Sequence, residues 1–440
     1  MIRLSRRQFL QISASSTAAL VVSAGLAGCS SDDDNDGGSD SLASGRFDHG
    51  VASGDPLAES VIIWTRVSPT DQSAASDALT VSWQVATDAD FSVLVRDGNT
   101  TVSAQTDYTL KVDVQGLQAG TDYYYRFLSG EQTSTAGRLR TLPVGEVSQV
   151  RLLVASCSNY PAGYFHAYAE AALESDLDAV VHLGDYIYEY GADGYATEDA
   201  ESLGRELAED NAEELLTLDD YRKRYQLYRT DADLQALHAA APFIAVWDDH
   251  EVSNDAWREG AENHNEDPAV DEGLFSERRQ QALQAYFEWM PIRPASADDI
   301  ETIYRQFAFG DLVNLMMLDT RIIGRDEQLQ MTNYINADTG AFDTDGFAAA
   351  LADPNRTLLG SEQLAWLQSS MAASTATWQV LGQQVLMGRM NIPAEVLLSP
   401  DDPTILGTMA TIKARQLQGD PTLTAEEIAR LEQSIPYNLD

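Results

Sequence analysis

Along this chain the spacing of apolar residues changes character in stages, and each stage predicts a different kind of structure. From Phe47 to about Pro143, short runs of alternating apolar and polar residues recur at Ser60 to Arg66, Leu79 to Ala86, Asp107 to Val114 and Tyr123 to Phe127, with Gly and polar turns between them. Alternation with a period of two buries one face of an extended strand, so this stretch predicts a β-sandwich. After Gln149 the alternation gives way to apolar runs at Arg151 to Ala155, Ala179 to Leu183, Phe243 to Val246, Val313 to Leu318 and Trp378 to Met387. Such runs predict buried strands. Helical segments lie between them, including Ala162 to Glu174 and the stretch after Thr217, where Thr217 and Asp220 have capping-box spacing ahead of Tyr221, Tyr225 and Tyr228. Strands alternating with helices predict an α/β layered domain.

The segment Val112-Asp113-Val114-Gln115-Gly116-Leu117, continued by Ala119 to Phe127, resembles the penultimate hairpin of fibronectin-III-like domains. The expected architecture is therefore multidomain, a fibronectin-III-like β-sandwich over 47–145 followed by an α/β layered domain over 150–440. The first segment carries no catalytic cluster and reads as a structural or orienting module. The acidic stretches Gly191 to Leu216 and Arg258 to Glu272 read as surface excursions near strand ends.

Ahead of the sandwich, Ser5-Arg6-Arg7-Gln8-Phe9-Leu10 precedes an uncharged stretch, Ile12 to Ala27, rich in Ala and Ser. That combination predicts a twin-arginine export signal over 1–29, and with it the export machinery as a partner. The stretch is shorter than the roughly 20 apolar residues of a membrane-spanning helix. It closes with Leu26-Ala27-Gly28-Cys29, which resembles a bacterial lipobox, so cleavage before Cys29 leaves a thiol for lipid attachment. A plain signal peptide with an incidental cysteine is the alternative. Residues 30–46 open with an acidic, Gly- and Ser-rich tract, Ser30 to Ser41, without one apolar side chain, and read as a tether. The expected location is extracytoplasmic, at the periplasmic or cell-surface side of a membrane that holds the lipid anchor.

Charge narrows the partners. With 69 acidic against 28 basic residues the formal net charge is −41, and no basic patch exists to neutralise phosphates, which argues against nucleic acid or an anionic membrane surface as partner. Only two cysteines exist, and lipidation of Cys29 leaves Cys157 alone in an oxidising compartment.

In open α/β sheets ligands gather outside the carboxyl ends of strands. The apolar runs here lead into Ser156-Cys157-Ser158-Asn159, Gly184-Asp185-Tyr186-Ile187-Tyr188-Glu189, Trp247-Asp248-Asp249-His250-Glu251 and Asp319-Thr320-Arg321. Each block alone is weak, since a buried Cys is usually core and an Asp after Gly is often a helix cap. Their order, a thiol, then Gly-Asp-x-x-Tyr, then Asp-His-Glu, resembles the metallophosphatase superfamily. The blocks Trp247 to Glu251, Phe47 to Pro56, Ile63 to Arg66, Leu318 to Arg321 and Trp378 to Gly382 further resemble its alkaline phosphatase D branch.

That resemblance implies roles for single residues. Asp185 corresponds to the carboxylate that bridges two metal ions, Tyr188 to a tyrosine that ligates Fe³⁺, Asp249 to a further ligand and His250 to the catalytic histidine. The branch places a cysteine ligand on the first strand, which accounts for Cys157. Thiolate and phenolate suit Fe³⁺, while carboxylate oxygens suit a harder ion such as Ca²⁺. The implied activity is hydrolysis of phosphomonoesters, or phosphodiesters, by metal-activated hydroxide, with His250 stabilising the phosphoryl group or protonating the leaving oxygen. The substrate is then a small phosphate ester.

The pattern also departs from that family. No histidine follows His264, although the family closes its site with later strand-end histidines, and the remaining histidines, His49, His166, His182, His238 and His264, read as structural or solvated. The last residues, Ser434 to Asp440, show no closing helix or strand, so the chain is expected to be a fragment or a truncated protein, its catalytic domain incomplete at the C-terminus, and the hydrolase activity is expected only of a chain that continues past residue 440. The competing function is a catalytically inactive surface lipoprotein acting as a binding module through its β domain and acidic loops.

Overall fold

The computed structural model describes residues 45–436 except 71–77, 268, 271, 297–298, 337–338, 340, 388–390 and 398–401. The export signal, Cys29 and the tether up to Ser44 lie outside the described residues. Two compact units are present, the first comprising residues up to Arg325 together with Leu359–Gln384, the second Asp326–Leu358 and Val385–Asp440.

The first unit carries the strands β1 (Val51–Gly54), β2 (Ser60–Arg66), β3 (Leu79–Ala86), β4 (Leu94–Val102), β5 (Thr109–Gln115), β6 (Asp122–Ser129), β7 (Gly137–Arg140), β8 (Leu152–Ala155), β9 (Ala179–His182), β10 (Phe243–Ala245), β11 (Arg305–Phe309), β12 (Val313–Met317) and β13 (Trp378–Gly382). Its helices include α1 (His166–Ala172), α2 (Leu218–Tyr228), α3 (Ala232–Ala240), α4 (Phe275–Trp289) and α5 (Gly360–Ala373). The N-terminal region is β-rich, and the region after Gln149 mixes strands with helices, as the apolar periods predict. The run at Trp378 to Met387 is shorter as a strand than its sequence suggests, ending at Gly382.

One sheet has the order β8-β9-β10-β1-β2-β5. The first four strands run parallel, and β1, β2 and β5 pair antiparallel. The sheet therefore joins the alternating and the continuous segments of the sequence through the pairing of Phe243 with Gly54. Gly54 has no substitute there, because a Cβ would lie 2.2 Å from the Pro291 carbonyl oxygen and 2.6 Å from that of Phe243. A second sheet follows the path β7-β6-β3-β4, and a third the order β11-β12-β13.

The pleat of β2 sends alternate side chains to opposite faces. Val61 and Ile63 enter the core shared with Val81, Val85, Tyr125 and Phe127, whereas Trp64 enters the larger core built on β9, β10 and the helices. Trp64 is tied there by its indole N–H, which donates to the Glu288 carbonyl at 2.8 Å. Where β1 ends, fully buried Asp55 accepts from Arg305 at 2.6 Å and from the Arg293 amide at 2.6 Å.

Helix α2 begins at the predicted capping box. Thr217 Oγ1 accepts from the Asp220 amide while the Asp220 carboxylate accepts from the Thr217 amide at 2.8 Å. The helix buries Tyr221, Tyr225 and Tyr228 along one stripe, the face that the i, i+4, i+7 spacing specifies.

The second unit contains the helices Thr344–Leu351, Pro403–Leu417 and Ala425–Glu432. Arg415 joins the last two, donating to Asp420 at 2.8 Å and Glu427 at 2.6 Å. The tail corrects one expectation: Ser434–Pro436 is a strand, paired antiparallel with Asn391–Pro393. A three-residue strand whose partner lies more than forty residues upstream leaves no local periodicity to read. Among the described residues no helix is long and apolar enough to cross a membrane.

Candidate metal centre

The strand ends supply the site. β8 leads to Cys157, β9 to Gly184 and Asp185, β10 to Asp248, Asp249 and His250, and β12 to Asp319 and Arg321. The first two turns interlock, since the Cys157 amide donates to the Gly184 carbonyl at 3.2 Å and the Ser158 amide to the Asp185 carbonyl at 2.8 Å. Cys157 and Asp185 adopt φ of 62° and 55°, a left-handed conformation that costs a non-glycine residue about 1 kcal/mol and concentrates at functional sites.

Gly184 lets the turns after β9 and β10 meet. Its φ is 106°, and a Cβ would lie 2.2 Å from the Asp248 nitrogen. Glu251 then fastens them, its fully buried carboxylate accepting from the amides of Asp185 at 3.1 Å, Tyr186 at 2.6 Å and Asp248 at 2.8 Å. Burial pushes this carboxyl well above its ordinary pKa, against the pull of the amides.

Asp185, Asp249 and His250 are buried, and one potential ligand atom from each lies within 4.8 Å of the others. Asp185 Oδ2 accepts from the Tyr188 hydroxyl at 3.1 Å and from the Cys157 thiol at 3.4 Å, while Asp185 Oδ1 is buried with no hydrogen-bond partner among the described residues. The structure thus brings together Cys157, Asp185, Tyr188, Asp249 and His250. Cys29 lies outside the described residues.

Electrostatics mark the cluster as short of positive charge. Burial and then the neighbouring Asp249 charge raise the Asp185 carboxyl; partial desolvation of the still solvent-accessible Cys157, with the Asp185 charge, raises its thiol; and burial and the Asp185 charge raise the Tyr188 phenol. Burial pushes Asp248 up to about 7 despite Arg321. Asp249 goes the other way: burial opposes its charge, but Arg321 and His250 prevail and hold it low. For His250, burial disfavours the proton, yet the Glu189 hydrogen bond and the charges of Asp249, Glu189 and Asp185 push it up to about 10.

Arg321 spans three carboxylates, Asp248 at 2.5 Å, Asp249 at 3.2 Å and Asp255 at 3.2 Å. It is itself placed by Asp319, which accepts from the Arg321 and Ile322 amides at 2.8 Å each. Glu189, Glu251 and Arg321 also contribute, although the strand-end blocks that contain them carry no local sign of their roles. Their partners lie about sixty to seventy residues away, and no local pattern names them.

The other histidines do not join the cluster. His182 is buried, its Nδ1 accepting from the Gly184 amide at 3.3 Å and its Nε2 facing Tyr168 and Ser158. His238 meets the Tyr186 hydroxyl at 2.8 Å, His166 pairs with Asp233 at 3.3 Å, and His264 faces Glu272 at 3.5 Å. His49 packs edge-on against Trp289.

Fold and cluster define a class, an α/β sheet protein with a candidate metal centre at its parallel-strand ends. Within that class the chain belongs to the PhoD-like phosphatase family, whose model matches residues 152–422, with the family's N-terminal domain matching residues 30–143. Alkaline phosphatase D of Bacillus subtilis (strain 168) is 39% identical over 353 residues, which are 78% of this chain and 57% of that protein. A solved structure described as that of PhoD aligns with a TM-score of 0.66 and 38% identity, over 79% of this chain and 64% of the other. The chain therefore spans less than two thirds of the length of the relatives it matches.

Proposed function

We propose that this protein is an exported, metal-dependent phosphoesterase that hydrolyses phosphomonoesters, with phosphodiesters as close variants. The observation that carries the reading is the convergence on Asp185 of a thiol, a phenol, a second carboxylate and an imidazole, with one buried carboxylate oxygen left open. These donors fit a cation: the two protons that now satisfy Asp185 come from groups that become ligands on losing them. Cys157, Asp185, Tyr188 and Asp249 would hold the metal, Fe³⁺ by the soft and phenolic donors and Ca²⁺ by the carboxylates. Bound there, the ions supply charge neutralisation for a phosphoryl group and a more acidic water.

The chain's own residues do the rest. His250 stands beside both carboxylates and donates a hydrogen bond or a proton to the phosphoryl or leaving oxygen. Arg321 keeps Asp249 ionised and in place. The substrate is a small phosphate ester; with a net charge of −41 the surface suits neither nucleic acid nor an anionic membrane.

The same reading takes residues 1–29 as the twin-arginine signal, with Cys29 as the lipid attachment point, 30–46 as the tether, 47–145 as a fibronectin-III-like orienting domain and 150–440 as the catalytic domain. Support for the β domain comes from the shared core of Val61, Ile63, Val81, Tyr125 and Phe127.

Asp185→Asn is the direct test. It should abolish hydrolysis of para-nitrophenyl phosphate, and retained turnover sinks the reading. Metal analysis separates it from a non-catalytic binding module, for which the purified protein carries neither iron nor calcium.

A further inference from the structure

Glu189 follows Tyr188 and is fully buried, with 0% exposure. A carboxylate removed from water needs partners, and this one has two. His250 Nδ1 lies 2.7 Å from Oε2, and the Asn254 amide donates to Oε1 at 2.6 Å. An ionised carboxylate only accepts, so the contact fixes a proton on Nδ1 and leaves Nε2 as the nitrogen free for chemistry. The ring plane is fixed as well. Tyr188 stacks on His250 with centroids 4.2 Å apart and planes 28° apart, and Tyr190 closes a further side at 5.4 Å.

We propose that Glu189 is the positioning residue for His250, holding the imidazole by Nδ1 so that Nε2 serves the reacting ester. The inference rests on the phosphoesterase reading for its chemistry and on the geometry alone for the pairing. In the step it serves, a water oxygen forms a bond to phosphorus and sheds a proton to solvent. The ester P–O bond breaks, the leaving oxygen keeps the electron pair, and it takes the Nε2 proton. The ring is left neutral, with its proton on Nδ1 still hydrogen-bonded to Glu189. Carboxylate–imidazole pairs elsewhere orient the ring in this manner and stabilise its protonated form.

Glu189→Gln preserves shape but offers one acceptor and one donor; with its oxygen on the Asn254 amide its NH₂ faces Nδ1 and admits the tautomer protonated at Nε2, so the ring is no longer held in one form. In the metal-loaded chain kcat should fall on the order of 100-fold, the scale of a lost general acid, with KM within about threefold. The loss should be larger for an alkyl phosphate such as glycerol phosphate than for para-nitrophenyl phosphate, whose leaving group departs without a proton. His250→Asn should show the same pattern, and the double variant should be no slower than His250→Asn alone. A readout free of turnover comes from ¹⁵N-histidine solid-state NMR of the metal-free protein. With six histidines in the chain, the His250 signals are those lost in His250→Asn. The native protein should show a protonated Nδ1, and Glu189→Gln a mixture of tautomers.

Unchanged His250 nitrogens in Glu189→Gln overturn the proposal, as do losses that multiply in the double variant or that are equal for both substrates. A native chain with no phosphatase activity but with the expected nitrogen shifts removes the phosphoesterase reading and leaves the positioning role standing.

Discussion

At the scale of single residues, the site depends on groups whose neighbours leave no latitude. A methyl group at Gly184 would meet the Asp248 nitrogen at 2.2 Å, in a backbone conformation that side chains rarely adopt. Gly184→Ala should therefore cost at least about 2 kcal/mol. A urea midpoint unchanged from native would contradict this. Buried histidines give a pH signature of their own. Burial, with Arg66 and Arg229 adding for His49, lowers both His49 and His182 to about 3. Between that value and the ordinary 6.5, the unfolded chain binds a proton that the fold refuses, so stability rises with pH across this window and is lost as pH falls. Each histidine contributes a slope of about 1.4 kcal/mol per pH unit. His49→Gln should flatten the slope of unfolding free energy by that amount between pH 6 and pH 4; an unaltered slope would show that His49 is not held neutral. Residue identity was legible for Cys157, Asp185 and His250 as candidates, because the order of their strand-end blocks, each weak alone, resembles a known superfamily. It was not legible for Glu189 or Arg321, whose meaning comes from partners brought in by the sheet.

At the scale of elements, two devices set the frame. The capping box at Thr217 satisfies amides that α2 would otherwise leave open, and Thr217→Ala should cost about 1 kcal/mol in thermal or urea unfolding. Asp55 has a heavier task, tying the end of β1 to the start of β11 through Arg305 and to the segment after α4 through the Arg293 amide. Asp55→Ala leaves Arg305 without its carboxylate and should cost about 3 to 5 kcal/mol. A loss below 1 kcal/mol would show that water replaces the pair. Strands such as β3 and β6 were readable because period-two alternation is their own property, and the helix start at Thr217 because a capping box spans four residues. The strand β1 was not: its four residues, Val51-Ala52-Ser53-Gly54, are all buried and carry no alternation. What makes them a strand is β10 on one side and β2 on the other.

At the scale of the whole molecule, a net charge of −41 repels itself in the compact state. Raising salt from about 10 mM to about 150 mM shortens the screening length from about 30 Å to about 8 Å. Tm in the presence of a chelator should rise over that range, and a fall would mean that the ion pairs outweigh the repulsion. The sequence announced a β-rich front, an α/β region and the order of strand-end blocks, but the sheet that unites them depends on pairings such as Phe243 with Gly54, which no window of sequence contains. Glu251 has a temporal corollary. One carboxylate gathers amides from two turns up to 66 residues apart, so the donors have no fixed geometry until the parallel strands have registered. A chain still folding offers scattered carboxylates with feeble hold on a cation. On the metal-dependent reading proposed above, tight capture of an ion follows registration of the sheet, so a bound ion would report that the sheet beneath it has closed.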